Sequence, residues 1–315
     1  MTSSKPELLV VGAYPDWDLA ALEKTYTLRK LWEAPDQAAF LAEHGRNIRA
    51  IGTRGDLGAS AALIAALPGL EIIACNGVGL DAIDLHAAKA RGIKVTNTPD
   101  VLTDDVADLA IALCIAIARN IPAGERHVRN GLWKSGTLPL ATRFSGKKMG
   151  IVGLGRIGIA IAKRAEAFGM KISYLNRKAR GDVSYQYCDT VEGLAEESDF
   201  LVAALAGGAG AKNVITAAAF KALGPEGFFV NVSRGSVADE AALLHALENG
   251  VIKGAALDVF LNEPAIDERF LTLKNVVLQP HVGSATLETR QAMGQLVRDN
   301  LAAHFAGKPL LTAVA

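Results

Sequence analysis

The sequence predicts an α/β protein with two parallel sheets, and three features carry that expectation. Short apolar runs alternate with helix-periodic segments along nearly the whole chain. Half of the residues are hydrophobic while only 6% are aromatic, and glycine is plentiful at 31 positions. Such a composition packs its cores from Val, Ile, Leu and Ala, as alternating strand–helix proteins do. With 315 residues, the chain is long enough for two domains, each with its own core.

The first third supplies the first series. "ELLVVG", "TLRKLW", "IRAIGTR", "LEIIACNG" and "IKVTNTP" read as strands. "LAALEKTY", "QAAFLAEHG", "SAALIAALPG" and "AIDLHAAKARG" read as the helices between them, the second stopping at Gly45. Strands separated by helices imply parallel pairing. A long, mostly buried helix is expected from Thr103, with Asp104, Asp105 and Asp108 in its first turns, where acid suits the helix dipole. A second series follows the segment "RNGLWKSG". Its strands are "KMGIVG", "KISYLN", "FLVAAL", "FFVNVS", "AALDVF" and "NVVLQP". The tail "TLETRQAMGQLVRDNLAAHFAG" is a helix expected to return to the first domain.

Lys+Arg and Asp+Glu are equal at 33 each, so no global field favours nucleic acid or a membrane surface. The apolar run near the N-terminus is too short for a signal peptide, and "LAIALCIAIA" has about half the length that spans a bilayer. Cys75, Cys114 and Cys188 stand apart, with neither a disulfide framework nor a metal-ligand spacing. A soluble, cytoplasmic protein is expected, with no metal and no nucleic-acid or membrane partner.

The stretch "GIVGLGRIG" places Gly153, Gly155 and Gly158 in G-x-G-x-x-G spacing between an apolar strand and a helix. Gly153 permits the tight turn, Gly155 lets a pyrophosphate approach the backbone, and Gly158 lets helix and strand pack closely. The helix N-terminus offers free N–H groups to the anion. The acid that would hold the ribose hydroxyls of NAD about 20 residues on is missing. The second strand ends instead in Asn176, Arg177, Lys178 and Arg180. A carboxylate there would repel the 2′-phosphate of NADP, and a guanidinium binds it in a fork. NADP(H) is therefore expected in preference to NAD(H), with Arg177 the main phosphate ligand and Asn176 and Lys178 assisting.

Three polar residues follow later strands, where ligands collect in open α/β sheets. Arg234 follows "FFVNVS", Glu263 follows "AALDVFLN" and His281 follows "NVVLQP". Together they are the parts a carbonyl reduction needs. Arg234 grips carboxylate and carbonyl oxygens, His281 donates the proton, and Glu263 orients the imidazole and favours its charged form. "GTRGDLG" also puts Arg54 at a strand end. Two readings stand for it: a ligand for an anionic substrate, or the cap of a surface turn.

In the order and spacing of "NGVGLDAIDLHAAKARGIKVTNTPD", "GIVGLGRIG", "NVSRGSVADEAALLHALENG", "GAALDVFLNEP" and "LQPHVGSAT", the chain resembles the D-isomer-specific 2-hydroxyacid dehydrogenases over nearly its whole length. The likeness is greatest to the glyoxylate/hydroxypyruvate and hydroxyphenylpyruvate reductases, which favour NADPH. It implies a discontinuous flavodoxin-like substrate domain (1–98 and 287–315), a dinucleotide-binding Rossmann domain (99–286) and a cleft between them. It implies that Arg234, Glu263 and His281 are the catalytic set and that the Val78 and Gly79 amides bind the substrate carboxylate. Leu154, Gly155, Arg156 and Ile157 would surround the pyrophosphate. Val232, Arg234 and Asp258 would line the nicotinamide side, with Asp258 accepting from the carboxamide and Thr103 touching the same end. A homodimer is implied too, with Trp133 either reaching a neighbouring active site or packing in the interface. The expected activity is NADPH-dependent reduction of a small 2-oxo acid to a D-2-hydroxy acid. The alternative is an NAD(P)H-sensing binding protein or corepressor on the same scaffold, because fold does not settle function.

Overall fold

A computed structural model describes residues 5–314. The strands are β1 (Glu7–Val10), β2 (Thr27–Lys30), β3 (Ile48–Arg54), β4 (Ile72–Asn76), β5 (Lys94–Thr96), β6 (Lys148–Val152), β7 (Lys171–Leu175), β8 (Gln186–Tyr187), β9 (Phe200–Ala203), β10 (Phe228–Asn231), β11 (Gly254–Leu257) and β12 (Val276–Leu278). The helices are α1 (Asp16–Glu23), α2 (Gln37–His44), α3 (Ala61–Ala65), α4 (Leu85–Ala90), α5 (Thr103–Ala118), α6 (Ile121–Arg129), α7 (Arg156–Glu166), α8 (Val191–Glu196), α9 (Ala217–Leu223), α10 (Glu240–Glu248), α11 (Arg269–Thr272) and α12 (Leu287–Phe305).

The chain divides into two compact units, one running up to Leu102 and resuming at Thr286, the other Thr103–Ala285. The division falls a few residues beyond the 98/99 drawn from sequence. Thr98 N–H still donates to Gly77 O, and Thr289 Oγ1 donates to Val101 O, which ties that segment to the first unit. Thr286 goes with the helix it caps, its hydroxyl accepting from Thr289 N–H.

The first unit is a five-stranded parallel sheet in the order β2-β1-β3-β4-β5. α12 returns to it, packing Val297 and Leu301 against Leu8, Val10, Ala50, Ile72 and Ala74 on one sheet face. On the other face Leu9, Ile51 and Ile73 pack with Ile64 and Leu67. Polar side chains start most helices. Asp36, Ser60 and Asp84 each accept from a first-turn N–H, as N-caps do.

The second unit is a seven-stranded parallel sheet in the order β12-β11-β10-β9-β6-β7-β8. Sequence placed six of these strands. The seventh, β8, is only two residues long and pairs Ser173 with Gln186 and Tyr174 with Tyr187, which is too short to leave a period in the sequence. Helix α6 was also missed, since its span "IPAGERHVR" buries no residue. The core is built from Phe220, Phe229, Leu243, Leu247 and Ile252 among others. Among the described residues no single helix is long and apolar enough to cross a membrane.

Asn300, on α12, is fully buried. Its Nδ2 donates to Leu296 O and Thr312 Oγ1, and its Oδ1 accepts from the amides of Leu311 and Thr312. Thr312 in turn donates to Asn97 O at the end of β5. Asn300→Ala strands these groups. It is expected to cost the first unit about 2–3 kcal/mol in urea unfolding and to speed amide exchange at Leu311 and Thr312.

Candidate active site

All strands of the second sheet run the same way, so the loops leaving β10, β11 and β12 emerge on one edge. Arg234, Glu263 and His281 lie on these three loops. The β10 loop is shaped by Asn231, whose Oδ1 accepts from Ser233 N–H and Oγ and whose Nδ2 donates to Arg234 O. Gly235 then passes so close to the β11 loop that a Cβ there would stand 1.9 Å from the Phe260 carbonyl carbon. Only glycine permits that approach, which brings Arg234 beside the loop carrying Glu263.

His281 Nδ1 lies 2.6 Å from Glu263 Oε2. Glu263 Oε1 accepts from the Phe260 amide at 2.8 Å, which fixes the carboxylate from its other side. Burial pushes the Glu263 carboxyl up. The His281 hydrogen bond, the Phe260 amide and the His281 and Arg234 charges outweigh burial and leave it below its ordinary value. It is therefore a carboxylate, able only to accept. The proton between the two sits on Nδ1, and Nε2 is the nitrogen left to give or take a proton.

The backbone holds His281 in an uncommon state, with φ at +56°. Asp258, almost fully buried, secures it. Its two carboxylate oxygens accept from the amides of Val282 at 2.7 Å and Gly283 at 2.8 Å. Burial pushes the Asp258 carboxyl up against the pull of both amides and of the His281 charge. The family resemblance implies that Asp258 accepts from the carboxamide of the cofactor. Both of its oxygens are engaged in shaping the His281 loop, a task no spacing rule announces. Val232 is buried beside this loop cluster at the end of β10, and Thr103 opens α5 half-buried.

The glycine loop leaves β6 as expected. Gly153 has φ at +100°, and a Cβ on it would meet Leu205 at 2.6 Å. A Cβ on Gly158 would stand 2.2 Å from Gly153 O, so the first turn of α7 lies against the loop. Above Gly155 nothing lies within 4 Å, a cradle that a side chain would fill and that a pyrophosphate fits. Arg156 and Ile157 begin α7 and turn their amides to the same end. Leu154 N–H donates to Asn176 Oδ1 at 2.7 Å, so the Asn176 oxygen braces the loop. Arg177 and Lys178 are exposed, and among the described residues neither side chain has an ion pair or hydrogen bond.

In the first unit, Val78 and Gly79 follow β4. Their carbonyls accept from Asn97 Nδ2 and Cys75 Sγ, while among the described residues neither amide N–H has a partner. Arg54 ends β3, where the strand order reverses between β1 and β3. Its guanidinium is paired with Asp56 through both Nε and Nη2, and Nη1 donates to Ala13 O. Sequence missed Arg290 in the first turn of α12. Burial first and then the Arg54 charge push its pKa down, with Asp56 pulling the other way. Among the described residues its guanidinium has no hydrogen bond or ion pair.

Residues 111–283 match the NAD-binding domain of the D-isomer specific 2-hydroxyacid dehydrogenases. The chain belongs to that family. The dehydrogenase is 50% identical over 293 residues to glyoxylate/hydroxypyruvate reductase A of Arabidopsis thaliana, covering 93% of this chain and 94% of the relative. It is also 50% identical over 293 residues to hydroxyphenylpyruvate reductase of Plectranthus scutellarioides, again covering 93% and 94%. Among solved structures, an NADPH-dependent glyoxylate/hydroxypyruvate reductase of Sinorhizobium meliloti, in complex with NADP and malonate, superposes with a TM-score of 0.94. It shares 44% identity over 99% of this chain and 97% of that one.

Replacing Glu263 with Gln keeps an acceptor for Nδ1 but removes the charge that stabilises an imidazolium. The dehydrogenase is expected to lose about 10²-fold in kcat. The depressed Glu263 carboxyl means that its stabilising contribution is present at neutral pH and is lost as pH falls through its folded value, below the ordinary glutamate range. The stability gap between wild type and Glu263→Gln should therefore hold from pH 7 to 5 and close at lower pH, measured by urea unfolding.

Proposed function

We propose that this dehydrogenase reduces small 2-oxo acids, glyoxylate and hydroxypyruvate among them, to D-2-hydroxy acids, with NADP(H) preferred over NAD(H). The single observation carrying the chemistry is the His281–Glu263 pair, which fixes Nδ1 as donor and leaves Nε2 for proton transfer. The bound nicotinamide supplies hydride to the carbonyl carbon. His281 Nε2 gives its proton to the carbonyl oxygen, and Glu263 stabilises the charged ring until that moment. Arg234 grips the carboxylate and polarises the carbonyl. Val78 and Gly79, whose amides have no partner among the described residues, are the first unit's candidates for binding a substrate carboxylate. Asp258 keeps the His281 loop in place and, with Val232 and Thr103, belongs to the nicotinamide end.

Arg177 is the ligand for the 2′-phosphate, with Lys178 beside it. Its exposed guanidinium is not committed to any protein acceptor among the described residues, and a 44%-identical relative solved with NADP supports a nicotinamide cofactor of that kind. Arg54, with Arg290 near it, adds positive charge at the strand ends of the first unit. Asp56 offsets part of that charge. The partner is a second copy of this chain. Ile121, Val128, Leu132 and Trp133 cluster in sequence and stay exposed, Trp133 at 68%, which suits interface packing. The three cysteines are free, which suits a reducing, cytoplasmic setting.

NADPH oxidation followed at 340 nm with a panel of 2-oxo acids tests the activity. Turnover with glyoxylate or hydroxypyruvate is expected, and no turnover with any 2-oxo acid would leave only a cofactor-binding role. The Arg177→Asp variant should lower kcat/KM for NADPH by about 10²-fold while sparing NADH, the loss of a charge-assisted fork. A variant that kept the NADPH preference would remove Arg177 from the site. Arg54→Ala should raise KM for glyoxylate several-fold, whereas unchanged KM for every substrate would leave Arg54 as a turn cap.

A further inference from the structure

The basic stretch after β7 does more than present Arg177. Leu154, buried between two glycines of the cofactor loop, has both of its backbone polar groups taken by that stretch. Its N–H donates to Asn176 Oδ1 at 2.7 Å, and its carbonyl accepts from Arg180 Nη1 at 2.8 Å. Arg180 is itself fixed at three points. Its backbone N–H donates to the hydroxyl of the buried Tyr174 at 2.7 Å, its Nε donates to Asp182 Oδ1 at 2.9 Å, and its Nη2 pairs with Asp182 Oδ2.

The consequence follows from peptide geometry. In a trans peptide the carbonyl and the next N–H point in opposite directions across one plane. Holding Leu154 O toward Arg180 therefore turns the Gly155 N–H away from Arg180, and beside Gly155 a Cβ would meet nothing within 4 Å. The glycines on either side have no side chains to brace the loop, and glycine gains most from being left free. The guanidinium supplies that brace.

We propose that Arg180 is a positioning residue that aims the Gly155 N–H at the cofactor's pyrophosphate, a task separate from 2′-phosphate binding by Arg177. This rests on the dinucleotide site proposed above. Because NADH and NADPH share the pyrophosphate, Arg180 serves both, whereas Arg177 serves only NADPH.

The test is a fluorescence titration of NADH and NADPH into wild type, Arg180→Ala, Arg180→Lys and Arg177→Ala. Arg180→Ala should raise Kd for both cofactors by a similar factor, about tenfold for a charge-assisted bond. The effect should fall on the cofactor KM rather than on kcat at saturation. Arg180→Lys, which keeps a cationic donor, should recover most of the loss with both cofactors. A loss confined to NADPH would make Arg180 a direct phosphate ligand and overturn the proposal, as would unchanged affinity for both. The Arg177→Ala arm reports separately on the 2′-phosphate site. If it leaves NADPH affinity intact, that assignment fails, while the NADH result for Arg180 still decides the present one.

Discussion

Glu263 and His281 sit 18 residues apart on separate loops, and the contact between them dictates what those loops must do. A hydrogen bond of 2.6 Å sets the tautomer only if both partners are held from outside. Glu263 is held by the Phe260 amide, and His281 by two amides that follow it and bond to Asp258. The buried carboxylate of Asp258 is costly by itself, and its two N–H donors are what make that burial tolerable. The left-handed backbone at His281 is a local strain accepted for a ring that must present Nε2. Gly235 serves the same end from the β10 side, since any larger residue would push Arg234 away from Glu263.

The cofactor end follows a similar logic with different chemistry. Glycines give the loop after β6 room for a pyrophosphate but no rigidity. Rigidity comes from outside, through Asn176 and Arg180 on the peptide groups of Leu154. In both places the candidate site residues stand on loops, and their geometry is fixed by polar side chains that bond to backbone. That division lets a parallel-sheet scaffold support precise chemistry at its edges.

Much of this was legible in the sequence, and the reasons differ by feature. Most strands announced themselves because central parallel strands are buried on both faces and read as apolar runs. Gly153, Gly155 and Gly158 were legible because each answers a separate steric demand at a fixed spacing. Arg234, Glu263 and His281 were legible as strand-end residues, and the structure brings their three loops together. β8 was lost because two edge residues carry no period, and α6 because it has no buried face. The loop-bracing tasks of Asp258 and Arg180 were hidden for a deeper reason. Each acts through backbone groups of a distant segment, and a backbone N–H or carbonyl leaves no mark in a sequence. Arg290 escaped for a related cause, because its proximity to Arg54 spans most of the chain.

The most direct measurement is nitrogen-15 NMR of the His281 ring in protein labelled at histidine, with His281→Gln as the assignment control. With Nδ1 set 2.6 Å from the Glu263 carboxylate, Nδ1 is expected to carry its proton in the active protein, leaving Nε2 to exchange one. An unprotonated Nδ1 in the active protein would mean that Glu263 does not set the tautomer, contradicting the role assigned to the pair.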